Sequence, residues 1–159
     1  MSSLLMERLQ IIKGLDPVAD AFAGATVYSD IVNVKNLSRV LFVVFGGVAT
    51  AGTGASTFTV EACDDVTPTN VSAIAFESRE IATGDTEGAI TARAAAGYVG
   101  TAGSSKISLI EVREDALAAS GYGYVRLKAA ESVNDPVVGC ILVIGESKLP
   151  SASKATAIV

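Results

Sequence analysis

Between Thr26 and Ile144 the chain alternates short apolar-rich runs with clusters of Gly, Asn, Asp, Pro and Ser, the pattern of strands joined by turns. Val27, Ser29, Ile31 and Asn33 alternate with Tyr28, Asp30, Val32 and Val34, which predicts a strand, and Asn36 marks a turn before a second one over Leu37 to Val48. That second strand contains Val40-Leu41-Phe42-Val43-Val44-Phe45, an unbroken apolar run rich in β-branched and aromatic residues. Such a run predicts burial on both faces, so a second sheet or a neighbouring subunit has to lie over it. Thr57 to Cys63 instead sets Phe58, Val60 and Ala62 against Thr57, Thr59 and Glu61, the alternation of a sheet with one wet face. Further strands fit Ala73 to Glu77, Gly97 to Val99, Lys106 to Arg113, Tyr122 to Ala130 and Val137 to Ile144. In Lys106 to Arg113, Ile107 and Leu109 share one face while Ile110 and Val112 share the other, which makes one side a candidate interface.

Two segments break the pattern. Arg79 to Ala96, with Gly84, Asp85, Glu87 and Gly88 near its middle, reads as a long loop or a short strand pair. Glu114 to Ala119 is Ala-rich and predicts one helical turn before Gly121-Tyr122-Gly123. Ahead of the strands, Leu5, Leu9 and Ile12 recur at helical spacing with Leu4, Ile11 and Leu15 alongside. Ser2 or Ser3 as cap and Gly14 as stop predict a helix of about three turns. Asp16-Pro17 and the Ala-Gly-rich stretch through Gly24 read as a linker. The first segment either packs back on its own core or docks as an arm on a neighbouring subunit. The expected organisation is an amphipathic arm and linker (1–24), a β-sandwich body (25–146) and a tail (147–159). The expected fold is all-β, an antiparallel β-sandwich or jelly-roll-like barrel of about eight strands with a short N-terminal helix or arm.

Composition adds constraints. At 159 residues the chain buries about two-thirds of its extended surface, enough for one domain with a real core. Twelve Lys and Arg against seventeen Asp and Glu give a net charge of -5, which supplies no clustered positive charge for a phosphate backbone, so nucleic acid is not an expected partner. The run Val40 to Phe45 is far shorter than the roughly 20 residues that span a bilayer, so no membrane partner is expected. Glu7, Arg8 and Lys13 interrupt the apolar residues of the first segment, which leaves no signal-peptide core, and export by that route is not expected. Only 18% of residues are charged, against about 25% in an ordinary domain. Either copies or another protein cover much of the surface, or Ser and Thr build it.

Candidate chemistry is sparse. Without His, the Ser-His-Asp and Cys-His nucleophiles and the usual neutral-pH general base are excluded. No enzyme is expected, and no catalytic, cofactor-binding or metal-binding residues are assigned. Gly47-Val48-Ala49-Thr50-Ala51-Gly52-Thr53 has the glycine separation of a phosphate loop, but Thr53 stands where the lysine belongs and a strand follows. Gly46 to Ser56 therefore reads as a flexible hairpin loop or an exposed contact loop in an assembly. Glu61, Asp64 and Asp65 cluster at a strand end, and Asp85 and Glu87 lie in the irregular segment Arg79 to Ala96, but the spacing matches no calcium loop. A solvated turn, with Asp64 or Asp65 bonding local backbone N–H groups, fits better. Glycoside hydrolysis by paired acids needs aromatic platforms, and the chain has no Trp. Tyr122 and Tyr124 form either an aromatic contact pair or half-buried packing. Cys63 and Cys140 could form one disulfide, a metal pair lacking other ligands, or two free buried thiols, the last favoured where no signal peptide is present.

Four segments carry a resemblance: Asn36-Leu37-Ser38-Arg39-Val40, Thr59-Val60-Glu61-Ala62-Cys63-Asp64-Asp65, Tyr124-Val125-Arg126-Leu127-Lys128, and Pro136-Val137-Val138-Gly139 before the last strand. Together, across Val27 to Ile144, they resemble small virion proteins of tailed bacteriophages, in particular head decoration or cement proteins. The resemblance implies a β-rich structural protein of the virion, made in the host cytoplasm and often trimeric. Its implied partner is the major capsid protein, bound outside the shell where capsomers meet, so that the head is reinforced against internal DNA pressure. It implies no site residues, because the segments mark strands and turns. The first segment and the tail from Ser147 to Val159 are then candidate arms. Two alternatives remain: a tail-tube or other virion component stacking through its sheet edges, and a carbohydrate- or receptor-binding module with an aromatic-lined or metal-bearing pocket.

Overall fold

In the computed structural model, residues 5–18, 26–48, 54–82, 84–133, 138–148 and 157–158 are described. The expected cap at Ser2 or Ser3, most of the linker through Gly24, loop residues 49–53, Pro136-Val137 and most of the tail lie outside them. The elements are α1 (Leu5–Arg8), β1 (Leu9–Leu15), β2 (Thr26–Tyr28), β3 (Ile31–Asn33), β4 (Leu37–Gly46), β5 (Ala55–Cys63), β6 (Val71–Ile74) and β7 (Phe76–Ala82). They continue with β8 (Thr86–Glu87), β9 (Thr91–Arg93), β10 (Tyr98–Val99), β11 (Ile107–Arg113), α2 (Glu114–Ser120), β12 (Tyr124–Val133), β13 (Val138–Ser147) and β14 (Ala157–Ile158).

The strands form two antiparallel sheets packed as a sandwich. Sheet A runs β1-β13-β4-β11-β7-β8, with β9 also on β7; sheet B runs β10-β5-β12-β3-β14, with β2 on β12 and β6 on β5. The strand count exceeds the expected eight because several long strands are split or carry short companions. With β2 joined to β3 and β6 joined to β7, the first, eighth, third and sixth strands are neighbours in one sheet and the second, seventh and fourth in the other, while the fifth bends between sheets at Ala75. That is the pairing order of a jelly roll.

The core lies where the two inner faces meet. Sheet A contributes Val40, Phe42 and Val44 of β4, Ile110 and Val112 of β11, and Ile141 and Val143 of β13. Sheet B contributes Phe58, Val60 and Ala62 of β5 and Val125, Leu127 and Ala129 of β12, with Val32 of β3 and Ile74 of β6. In β5 the predicted alternation holds from Thr57 to Val60 and fails beyond it: Phe58, Val60 and Ala62 are buried and Thr57 and Thr59 partly exposed, but Glu61, expected on the wet face, is buried against Arg126. Two devices close the sandwich. Leu117 of α2 is buried in the core, and the helix ends as expected at Gly121, whose N–H donates to the Ala118 carbonyl (3.2 Å). Tyr98 packs between Phe58 and Phe76 with centroid distances of 5.7 and 6.1 Å, and the Arg93 guanidinium lies 4.2 Å over its ring. Gly97 makes this possible: its φ is +82°, and a Cβ there would sit 2.1 Å from the Phe58 carbonyl oxygen.

Several expectations are corrected. The helix of about three turns over Leu5 to Leu15 is one turn, α1, followed by edge strand β1, whose Leu9 to Leu15 pair with Glu146 to Ile141 of β13. An isolated helix this short is marginal, whereas adjacent Ile11 and Ile12 suit a pleated strand and the neighbour supplies backbone partners. Gly14, the expected helix stop, instead lies at a register shift, where a Cβ would come within 2.8 Å of Val143 Cγ2. The single strand over Val27 to Val34 is divided at Ser29, whose buried hydroxyl accepts from the Leu127 N–H (2.9 Å) in place of a regular ladder bond. The strand over Ala73 to Glu77 falls on the bend between β6 and β7. The hairpin reading of Gly46 to Ser56 also fails, since β4 and β5 belong to different sheets and this connection crosses the sandwich. Arg79 to Ala96 resolves as a strand pair, with β8 and β9 both returning along β7.

Phe42 is the largest of the fully buried side chains. Phe42→Ala is expected to lower the unfolding free energy by about 3–5 kcal/mol, while Ile90→Ala, at an exposed loop position, changes it by less than about 0.5 kcal/mol; urea titration of both variants checks this.

Candidate functional site

The apolar run of β4 supplies more hydrophobic surface than the sandwich covers. Val40, Phe42 and Val44 point into the core, and their neighbours Leu41, Val43 and Phe45 point outward from sheet A. Within the chain, sheet B covers one of the two faces, and Phe45 on the other is left 48% exposed. The register builds this outer face row by row. Phe45 stands between Cys140 and Ile107, Val43 between Leu142 and Leu109, and Leu41 between Ile144 and Glu111. Ile81 extends the first row beyond Ile107, and Ile11 extends the last beyond Ile144. Ile11 is 67% exposed and Leu142 is 39% exposed. The result is an apolar field over β13, β4 and β11 that reaches β1 at Ile11 and β7 at Ile81, flanked by Lys13, Arg79 and Glu111.

Charge borders this field and cancels within the chain. Glu146 lies 3.0 Å from Arg8 and 3.7 Å from Arg39, and Arg39 lies 3.3 Å from Glu111. Arg113 pairs with Glu77 and Arg79 with Glu87. Four arginines thus meet four glutamates, so the border is neutral in a chain whose net charge is -5. These exposed pairs contribute little stability individually, under about 1 kcal/mol each. Their consequence is electrostatic: nothing approaching this face meets a net charge. The field also has relief, since a hollow of about 230 Å³ opens beside β11, lined by Leu41, Leu109, Ile90, Arg79 and Glu111.

The outer face of sheet B has the opposite character. Thr57 and Thr59 of β5 lie beside Ala130 and Lys128 of β12. Next to them buried Glu61 is held 2.7 Å from the Arg126 guanidinium and 3.7 Å from Lys128. Arg126 in turn lies 4.1 Å over the Tyr28 ring. Two outer faces of one sandwich therefore differ sharply, one apolar and neutral, the other polar and ionically cross-linked.

The acidic residues singled out in sequence do not come together. Glu61 is engaged by β12, while Asp64 and Asp65 shape the turn after β5. Asp64 accepts from the Thr69 N–H (3.1 Å), the Asn70 N–H (3.1 Å) and the Asn70 side-chain amide (2.8 Å), and Asp65 accepts from the Val66 N–H (2.6 Å). The Asn70 amide first, then these backbone donors, hold the Asp64 carboxyl below the usual carboxylate range. Asp85 sits at an exposed turn with φ +57°, and Glu87 is taken by Arg79. Among the described residues no three His, Cys, Asp or Glu side chains converge as metal ligands do. Gly47 and Val48 begin the sheet-crossing connection, with Val48 exposed. Tyr122 packs against the core, and together with Tyr124, Lys35, Glu114 and Lys148 it lines a cleft of about 350 Å³ beside α2.

Both cysteines are free. Cys63 is buried as expected, and burial pushes its thiol up to about 11. Cys140 departs from the expectation because its strand position turns it onto the outer face of sheet A, where it is only partly covered. The outward Ile107 and Leu109 were legible as a candidate interface, whereas the contribution of Ile11 was hidden by the helical reading of its segment.

No protein-family model and no curated protein matches this chain.

The lowered Asp64 value has a defined sign. Its stabilisation of the turn is complete above the usual carboxylate pKa of about 4 and is lost as pH falls through the lower folded value. NMR titration is expected to show the Thr69 and Asn70 amide signals moving only in that acid range, and Asp64→Ala is expected to abolish the transition.

Proposed function

We propose that this chain is a virion structural protein, a decoration or cement subunit that binds the outer head shell of a tailed phage as a homo-oligomer and stabilises it. The observation that carries the reading is the apolar outer face of sheet A, on which Ile11, Phe45 and Leu142 stand exposed among charges that pair within the chain. The chain's net charge of -5 and low charged fraction accord with a partner that is protein rather than nucleic acid. Jelly-roll order occurs in viral capsid domains and also in lectins, so architecture agrees with the reading without choosing it. Reinforcement by such a subunit is avidity: many modest contacts, repeated over a lattice, add up to tight attachment.

A tail-tube subunit would stack through open sheet edges. Edge strand β1 carries an exposed Lys13 and a register shift at Gly14, features that discourage edge-to-edge pairing. A glycan-binding module would use the cleft beside α2, where Tyr122 is committed to core packing.

Heads of the phage that encodes this chain, purified without it, provide the test. The added chain is expected to co-sediment with heads to a saturating ratio and to raise the temperature at which they release DNA. Failure to co-sediment at micromolar concentration removes the proposal.

A further inference from the structure

Resting on the reading of this face as an assembly surface, we infer that the occupant of the outer face of sheet A is a second copy of this chain, stacked face to face about a two-fold axis that runs along the strands between β4 and β13. Three features of the face argue for self-pairing. The first is charge. Copies that each carry -5 repel one another over most of their surface, but this face is bordered by four Arg–Glu neutralised groups and presents no net charge to a like face.

The second is shape. The face carries both a projection and a recess, on opposite flanks of the β4–β13 pair. Ile11 of β1 is its most exposed apolar side chain, and the hollow of about 230 Å³ floored by Leu41 and Leu109 lies beside β11. Strand order is β1, β13, β4, β11, so a two-fold axis between β13 and β4 exchanges the positions of β1 and β11. Ile11 shares the row of Ile144, Leu41 and Glu111, so the same operation carries it over Glu111 at the rim of the second copy's hollow, with Lys13, which Asp16 neutralises at 2.7 Å, over Leu109 in the next row. Along the border row, Glu146 then stands across from Arg39 of the second copy, while Cys140 stands across from its Phe45.

The third is size. Under that axis β1, β13, β4 and β11 of one copy lie over β11, β4, β13 and β1 of the other, so four strands about 4.8 Å apart, over the seven residues from Arg39 to Phe45 at about 3.4 Å each, overlap across roughly 19 Å by 24 Å. Two such faces bury about 900 Å², the scale of a weak, transient interface rather than a permanent one. The pairing is therefore expected to be reversible in the micromolar range.

The full chain is to be weighed by light scattering behind size exclusion at about 1 to 100 μM. A dimer that dissociates on dilution is expected, and Ile11→Glu and Leu142→Glu are each expected to weaken it by about 30-fold or more. Val71→Glu, which alters a 45% exposed apolar residue on sheet B, is expected to leave it unchanged. Thermal midpoints measured on dilute monomers confirm that each variant is folded. A measurement without variants stands beside these: alkylation of Cys140 is expected to slow at least about ten-fold as concentration drives dimerisation. Cys63 stays silent because it is buried and its thiol is pushed up to about 11. A monomer at 100 μM, a concentration-independent trimer, or Cys140 reactivity that ignores concentration overturns the inference. The decoration reading fails separately: a monomer that coats heads overturns only the pairing, and a dimer that ignores heads overturns only the decoration role.

Discussion

The structure depends on how the apolar residues of β4 are divided. A strand sends successive side chains to opposite faces, so Val40-Leu41-Phe42-Val43-Val44-Phe45 presents two hydrophobic faces whatever surrounds it. A two-layer sandwich can cover one of them. Val40, Phe42 and Val44 meet sheet B and become the centre of the core, and Leu41, Val43 and Phe45 are left outside. Flanking strands β11 and β13 repeat the same division, which turns a property of one strand into a property of a sheet face.

Polar chemistry is distributed to match. On sheet A the charged residues stand at the ends of the apolar rows and along the border through Arg39, and they pair within the chain. On sheet B, Glu61, Arg126 and Lys128 occupy the middle of the outer face, beside threonines that stay hydrated. A sandwich whose two outer faces differ in this way has a direction. Asp64 is spent on a turn and Glu61 on an ion pair, and the two thiols lie in different sheets.

Much of the fold was legible along the chain because its signals are local. The alternation in Thr57 to Val60, the turn chemistry of Asp64 and the helix end at Gly121 each depend on residues a few positions apart, and each appears as read. Where reading failed, a distant partner decided. Leu5 to Leu15 fits helical and extended spacing alike, and pairing with β13, more than a hundred residues away, selects the strand. Ser29 looks like an ordinary wet position in a strand until Leu127 brings a backbone N–H to its hydroxyl. The crossing between β4 and β5 looked like a hairpin because Gly-rich sequence marks a reversal without marking which sheet the chain enters next.

By itself the sequence determined the all-β class, the absence of histidine chemistry, the deficit of charge and the presence of more hydrophobic strand surface than one core needs. Only the tertiary structure decided which half of that surface is covered, that Ile11 and Cys140 join the open half, and that arginines and glutamates from separate strands neutralise its border. The physical reason is range. Side-chain alternation is fixed by the backbone of each strand alone, whereas the choice of covered face, and the company a residue keeps on it, is fixed by strands that meet across the length of the chain.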